Sequence, residues 1–405
     1  MLKRLLYIIL APHHPWRKVS FSDLSELYIS SMLRDFAQSM VGIFIPIYLV
    51  NNGFSVADAL FFFALFYAFG LFGVNEIIGR CIAWFGPKHV IGASFFLQVL
   101  FFLMLASLPD FRWSLWQLAL SARIASCAYY MSFHVSFSKM SHGEHAGKEL
   151  GLISIASKIA SVAGPFAGGI VATFFGAQSI IIIATLVFGL AIIPLLASGE
   201  FVKTRQKFTY KGIPIKKMRR TLIVNSLSNL ENGLTIWLWP LYVGIFIFTT
   251  EPYLKLGIVS SIGAAVSILA AIMVGRLIDR KKAHELFTWS VIINSGVHVI
   301  RLLASSFRGV ILVNILNEPT TTAYRMTFMN GYYDSTDNYP GYRIAYITLS
   351  ENIMDGLRSF VWAGLGLAAL YFTNSQQSVV ASGFIIAAIV SLLVLFQKFP
   401  TLKKQ

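Results

Sequence analysis

The sequence predicts an all-α membrane protein of twelve transmembrane helices, arranged as two pseudo-symmetric six-helix bundles. Three observations predict this: a composition too apolar for a water-soluble chain of this length, long apolar runs separated by short polar stretches, and residue patterns that recur between the two halves.

Composition comes first. Of 405 residues, 56% are hydrophobic and only 13% are charged, and the mean hydropathy is +0.68. Soluble domains carry about 25% charged residues. A bilayer core of about 30 Å takes roughly 20 apolar residues per helix, and every backbone polar group inside it must be paired within helices or a closed barrel. The runs here are long and continuous rather than alternating ten-residue segments, which selects helices. We place the spans at 25–51, 56–82, 88–108, 113–138, 149–173, 177–198, 221–248, 254–278, 284–305, 308–332, 343–372 and 377–398. The polar stretch 199–220 divides them into bundles 25–198 and 221–398. Residues 1–24 read as a cytoplasmic N-terminal segment, 199–220 as a basic cytoplasmic linker and 399–405 as a cytoplasmic tail. The apolar stretch near Met1 is too short for a signal peptide and lacks a small-residue cleavage site. Cys81 and Cys127 share no motif spacing and read as small buried hydrophobes.

Charge fixes the orientation. On the predicted topology, 24 loop and tail Lys or Arg fall on one side and three (Arg112, Lys255 and Arg308) on the other. The positive-inside rule then puts both termini in the cytoplasm of a plasma-membrane, multi-pass protein. The net charge of +15 follows from this topology and from attraction to anionic headgroups, so the expected partners include membrane lipids and exclude nucleic acid.

The halves repeat each other. Ala128-Tyr129-Tyr130-Met131-Ser132-Phe133 aligns with Ala323-Tyr324-Arg325-Met326-Thr327-Phe328 at an offset of 195, Pro46-Ile47-Tyr48-Leu49 with Pro240-Leu241-Tyr242-Val243 at 194, and Gly79-Arg80 with Gly275-Arg276 at 196. Parallel repeats of this kind are a transporter plan, with the solute site between the halves near the midplane.

With these patterns in hand, the chain resembles the major facilitator superfamily over roughly residues 20–400. The stretch Gly79-Arg80-Cys81-Ile82-Ala83-Trp84-Phe85-Gly86-Pro87-Lys88 resembles the family's G-x-x-x-D-R-x-G-R-K loop, with Ala83 and Trp84 in place of its acid–base pair. The second copy, Gly275-Arg276-Leu277-Ile278-Asp279-Arg280, keeps that pair. The resemblance implies a cytoplasmic latch between neighbouring helices, weaker or differently built in the first half. In span 5, Gly151, Ala160, Gly164, Pro165, Gly168 and Gly169 resemble the family's antiporter pattern; small residues on one face equally permit a tight helix contact with no such meaning. Arg123 falls where the family often carries an arginine, without the glycine that usually follows.

The resemblance also implies that spans 1, 4, 7 and 10 line a central cavity. Asp35, Arg123, Glu231 and Glu318 each lie about ten residues into one of them, about 15 Å deep. These four are expected to converge on one plane as substrate or proton groups, with Arg34, Tyr129, Trp237 and Trp239 around them. Buried charge is expensive at this depth and commonly functional; the alternative is a structural network such as Arg34 with Asp35. Glu351, Asp355 and Arg358 share one face of span 11, and Lys158 of span 5 is the cation expected to pair with one of those acids. Arg301 and Arg325 sit toward span ends and read as snorkelling, and His134 as packed or hydrogen-bonded.

No nucleotide loop, metal-spaced His or Cys cluster or nucleophile motif occurs, so no enzyme activity, metal or cofactor is expected. The sequence predicts a monomeric, proton-coupled secondary transporter working by alternating access on a small-molecule substrate. Export of amphipathic or lipophilic compounds leads. Uptake of a small organic anion, sugar or peptide, and a non-transporting scaffold or lipid-handling role, remain the alternatives.

Overall fold

The computed structural model describes residues 23–140, 146–195, 208–279, 283–336 and 342–397. Among these the regular structure is entirely helical. The N-terminal segment up to residue 22, linker residues 199–207, Arg280 and the tail lie outside the described residues.

Helix α1 (Asp23–Gly42) meets α2 (Ile45–Asn51) at a bend of 40°. Helix α3 (Val56–Phe69) starts at a capping box in which Ser55 accepts from the Asp58 N–H and Asp58 accepts from the Ser55 N–H, satisfying two otherwise orphaned donors. A single π-helical turn, Gly70–Val74, joins it to α4 (Asn75–Phe85). There Gly73 has φ +145°, a conformation open to glycine. Helices α5 (Pro87–Ala106), α6 (Leu115–Met140), α7 (Ala146–Phe175) and α8 (Ala177–Leu195) complete the first half.

The second half opens with α9 (Ile215–Gly233). It continues through a π turn, Leu234–Leu238, into α10 (Trp239–Tyr242) and a second π turn, Val243–Ile247. Then follow α11 (Pro252–Asp279), α12 (Ala283–Ile300), α13 (Phe307–Thr336), α14 (Arg343–Tyr371) and α15 (Gln376–Leu393).

Eight of these rods, counted over the described residues, are long and apolar enough to cross a bilayer, and the bent pair α1–α2 makes nine. The described parts of α6, α7 and α13 do not reach that level. Two of them carry the polar side chains discussed below, and the protein interior, rather than lipid, receives those groups. The outward faces suit lipid: Phe174, Leu303, Phe360 and Tyr371 are exposed.

Within the first half, α1 packs on α7 and α8, α3 on α6, and α5 on α6 and α8. The second half repeats this scheme, with α9 on α14 and α15, α11 on α13, and α12 on α13 and α15. Two long contacts join the halves, α3 with α14 and α7 with α11. At the second, helices touch backbone to backbone. A Cβ on Gly169 would lie 2.8 Å from the Tyr253 carbonyl, and one on Gly257 2.5 Å from the Pro165 carbonyl. On its other side α7 meets α1, where a Cβ on Gly164 would collide with Ser39 and one on Gly168 would lie 2.5 Å from the Met40 carbonyl. Gly151, at the start of the same helix, falls among residues whose surroundings are not described. Cys127 is buried and Cys81 half-buried, both as free thiols.

Candidate functional site

Two buried polar networks occupy the interior. The first joins the halves. Arg123 of α6 donates to Asp355 of α14 at 2.5 Å and to the Asn75 side-chain oxygen at 2.6 Å, while the Asn75 amide donates to Asp355 at 2.7 Å and to Asn352 at 3.0 Å. Glu351 lies 3.5 Å from Arg123, and Arg358 lies 3.9 Å from Asp355. Arg358 turns to α9, donating to the Asn229 carbonyl and side chain at 3.1 Å. Asp355 and Asn75 are fully buried and Arg123 nearly so. Two cations face two carboxylates, so the group is neutral, as burial demands. The π turn at Gly70–Val74 makes it fit: a Cβ on Gly70 would collide with the Asp355 carboxylate and the Arg123 guanidinium.

The second network lies inside the second half. Glu231 of α9 is fully buried. Its Oε1 accepts from Asn294 and Thr235 at 3.1 Å and lies 2.9 Å from His298 Nε2, whereas Oε2 has no hydrogen-bond partner among the described residues. Arg301 lies 3.1 Å from His298 Nδ1 and donates to the Asn317 oxygen at 2.7 Å; Asn317 donates to Glu318 at 3.3 Å. A continuous chain therefore runs Glu231, His298, Arg301, Asn317, Glu318. The Arg301 guanidinium sits 5.1 Å from the Trp239 ring and 5.8 Å from that of Phe384, the geometry of a cation–π contact.

The four charges expected on one plane are not brought together as one group. Arg123 joins Glu351, Asp355 and Arg358. Glu231 and Glu318 are the two ends of the second chain. Asp35 is bonded by its neighbour Arg34 at 2.8 Å, and the Arg34 guanidinium lies 3.6 Å from the Tyr129 ring. The partner that faces the span 11 acids is Arg123, and the Lys158 side chain is outside the described residues. The reading of Arg301 as snorkelling is corrected: it is fully buried, because His298, Asn317 and two rings receive its charge inside the bundle. Arg325 is half-buried, with its Nη1 sealed from solvent. Trp239 is packed in the core, its indole N–H donating to Asn314 at 2.8 Å. Trp237 packs on Phe63 of the other half, ring centroids 5.1 Å apart, and Phe63 on Trp362 at 4.7 Å.

Asn75, Asn294, His298, Arg301 and Asn317 were not singled out as functional by sequence reasoning. The signal available was the number of asparagines within apolar runs, since a polar group at that depth needs a partner.

At the loop-end motifs, Gly79 allows α4 to touch Thr348 and Phe208, a Cβ there falling 2.6 Å from the threonine hydroxyl. Arg80 bonds Glu76 at 3.2 Å, and Tyr210 of the linker donates to the same carboxylate at 2.6 Å. Phe208 packs against a core cluster of each half. So where the resembled loop would have its acid–base pair, this chain has exposed Trp84 and buried Ala83, and the linker docks beside them. Gly86, with φ +87°, ends α4, and Lys88 is buried at the start of α5. In the second copy Gly275 has open space around it and Arg276 is exposed. The Asp279 side chain and Arg280 are outside the described residues.

This is a multi-pass helical membrane protein whose interior holds paired charges. The chain belongs to the Major Facilitator Superfamily, whose sequence profile matches residues 27–345. Among solved structures, a mutant form of the nucleoside transporter NupG covers 93% of this chain and 98% of its own, at 13% identity and a TM-score of 0.70. A second NupG structure has the same coverage and identity and a TM-score of 0.66. At that identity the likeness establishes the fold alone. No curated protein matches the chain. Family membership supports a secondary transporter of small molecules.

Proposed function

We propose that the protein is a proton-coupled transporter working by alternating access, with twelve spans in two bundles, 25–198 and 221–398, joined by the linker 199–220. The helix contacts of the first half recur in the second, which supports this layout. The protein acts as a monomer in the plasma membrane, with both termini cytoplasmic and positive loops inside.

The observation that carries the proton reading is Glu231: a fully buried carboxylate beside an imidazole, with one oxygen unpartnered among the described residues. Burial disfavours a lone charge and nearby cations favour it, so a change in access to either side would load or release a proton here. Asp35, still partly exposed beside Arg34, and Glu318 are secondary candidates. The Arg123–Asp355 network spans the halves and would rearrange as they rock.

The favoured cargo is an amphipathic or lipophilic compound, exported against the proton gradient. The rings of Phe63, Trp237 and Trp362, in tilted contact across the halves, support an apolar wall. An organic anion is less favoured, because Arg34 and Arg123 each already face a carboxylate. In proteoliposomes, flux of a lipophilic dye should follow an imposed pH gradient, and Glu231→Gln should abolish that dependence with normal folding. If Glu231→Gln and Asp35→Asn both respond to the gradient like the wild type, the proton assignment is wrong.

A further inference from the structure

The hydrogen bonds around His298 fix its protonation state. A guanidinium has five N–H donors and no acceptor. Arg301 Nη1, 3.1 Å from His298 Nδ1, must therefore be the donor, and Nδ1 must hold a lone pair. The ring proton is then on Nε2, which donates to Glu231 Oε1 at 2.9 Å. Second partners set imidazole tautomers in this way.

The charge balance agrees. The groups facing this pair are Glu231 from α9; Arg301 from the 3-10 turn Arg301–Leu303 that follows α12; Glu318, Tyr324 and Arg325 from α13; and the uncharged Asn294, Thr235, Thr321 and Ser391. With a neutral ring, two carboxylates face two guanidinium groups. A protonated ring would leave a net positive charge in the bundle interior, which is costly.

We propose that Arg301 is a lock on proton entry to Glu231. While its guanidinium sits on Nδ1, the ring cannot accept a second proton. Arg301 is also tied through Asn317 to Glu318, so movement of α13 past α12 draws it off Nδ1. An incoming proton then bonds to Nδ1, the Nε2–H bond breaks, and that proton bonds to Glu231 Oε1. The ring ends neutral as the other tautomer, and the carboxylate has gained one proton. Arg301 is a positioning residue in this scheme. The proposal rests on Glu231 as the loaded group.

The test is nitrogen NMR on the full chain in lipid nanodiscs, with ¹⁵N-labelled imidazoles. The chain has eight histidines, and the His298 signals are those lost in His298→Gln. A neutral ring gives two widely separated nitrogen signals and an imidazolium gives two close ones. Between about pH 5 and 8, where an ordinary imidazole changes charge, wild-type His298 should stay neutral with its proton on Nε2. In Arg301→Met the ring should shift, as pH falls through that range, to the other neutral tautomer with its proton on Nδ1. A wild-type ring that is imidazolium at neutral pH, or protonated on Nδ1, overturns the proposal, as does a wild-type pattern unchanged in Arg301→Met. If Arg301→Met fails to fold, the wild-type spectrum alone decides. The tautomer is read without transport, so a lost pH-driven flux assignment and a wrong tautomer are separate results.

Discussion

Replacing Asp355 by asparagine leaves the Arg123 guanidinium inside the protein without its nearest anion. Both side chains are essentially sealed from solvent, at 4% and 0% exposure. The four charges of the network then change from neutral to a net positive one. Removing one partner of a buried pair costs about 3–5 kcal/mol. Asparagine still accepts one hydrogen bond, and Glu351 remains 3.5 Å from Arg123, so the lower end applies, about 3 kcal/mol. Adding Arg123→Met removes the stranded cation, and Arg358 with Glu351 keep the group neutral. The double variant should therefore recover about 2 kcal/mol, an interaction energy of the size found for residues in contact. The assay is thermal unfolding in nanodiscs, read by reaction of a fluorogenic maleimide with Cys127, which is buried beside Asn75, in a Cys81→Ser background. The single change should lower the midpoint by several degrees, and the double should restore much of it. An unchanged midpoint in Asp355→Asn, or a double variant as weak as the sum of both singles, would refute the pairing.

Other predictions follow from packing and from the linker. Gly168→Val puts a side chain against the Met40 backbone carbonyl and should abolish a monodisperse peak in fluorescence-detected size exclusion. On α14, Gly364 is exposed with open space around its Cβ position, so Gly364→Ala should raise stability by about half a kcal/mol through the unfolded chain. Two residues on, Gly366→Ala meets the Phe61 ring at 3.0 Å and should lower the unfolding midpoint in the same assay. The Tyr210 hydroxyl is pushed above the ordinary tyrosine range, first by burial and then by its bond to Glu76. The sign follows: a raised folded value means this bond supports the docked linker fully below about pH 10 and is lost only as pH rises further. Tyr210→Phe should make trypsin cleavage of the linker faster at neutral pH and insensitive to alkaline pH; equal rates for both proteins would show that the bond does not hold the linker.

The composition, the apolar runs and the offsets between halves were enough to determine a helical membrane protein with repeated halves, and the motifs at 79–88, 275–280 and in span 5 carried the resemblance to this family. Lipid forces that: every span must satisfy its own backbone and offer apolar side chains outward, so the constraint is local and written into each run. The burial of Arg123 and Glu231 was legible for the same reason, as a count along one helix. Only the tertiary structure decided who pairs with whom. Pairing depends on which way each helix face points, and the π turns at 70–74, 234–238 and 243–247 each insert about one extra residue. One residue turns all that follows by about 100°. The turn at 70–74 precedes Asn75, which faces Arg123, and the turn at 234–238 precedes Trp239, which faces the core rather than a cavity. No count along the chain registers those rotations, which is why His298 and Arg301 emerge as partners of Glu231 only once the helices are packed.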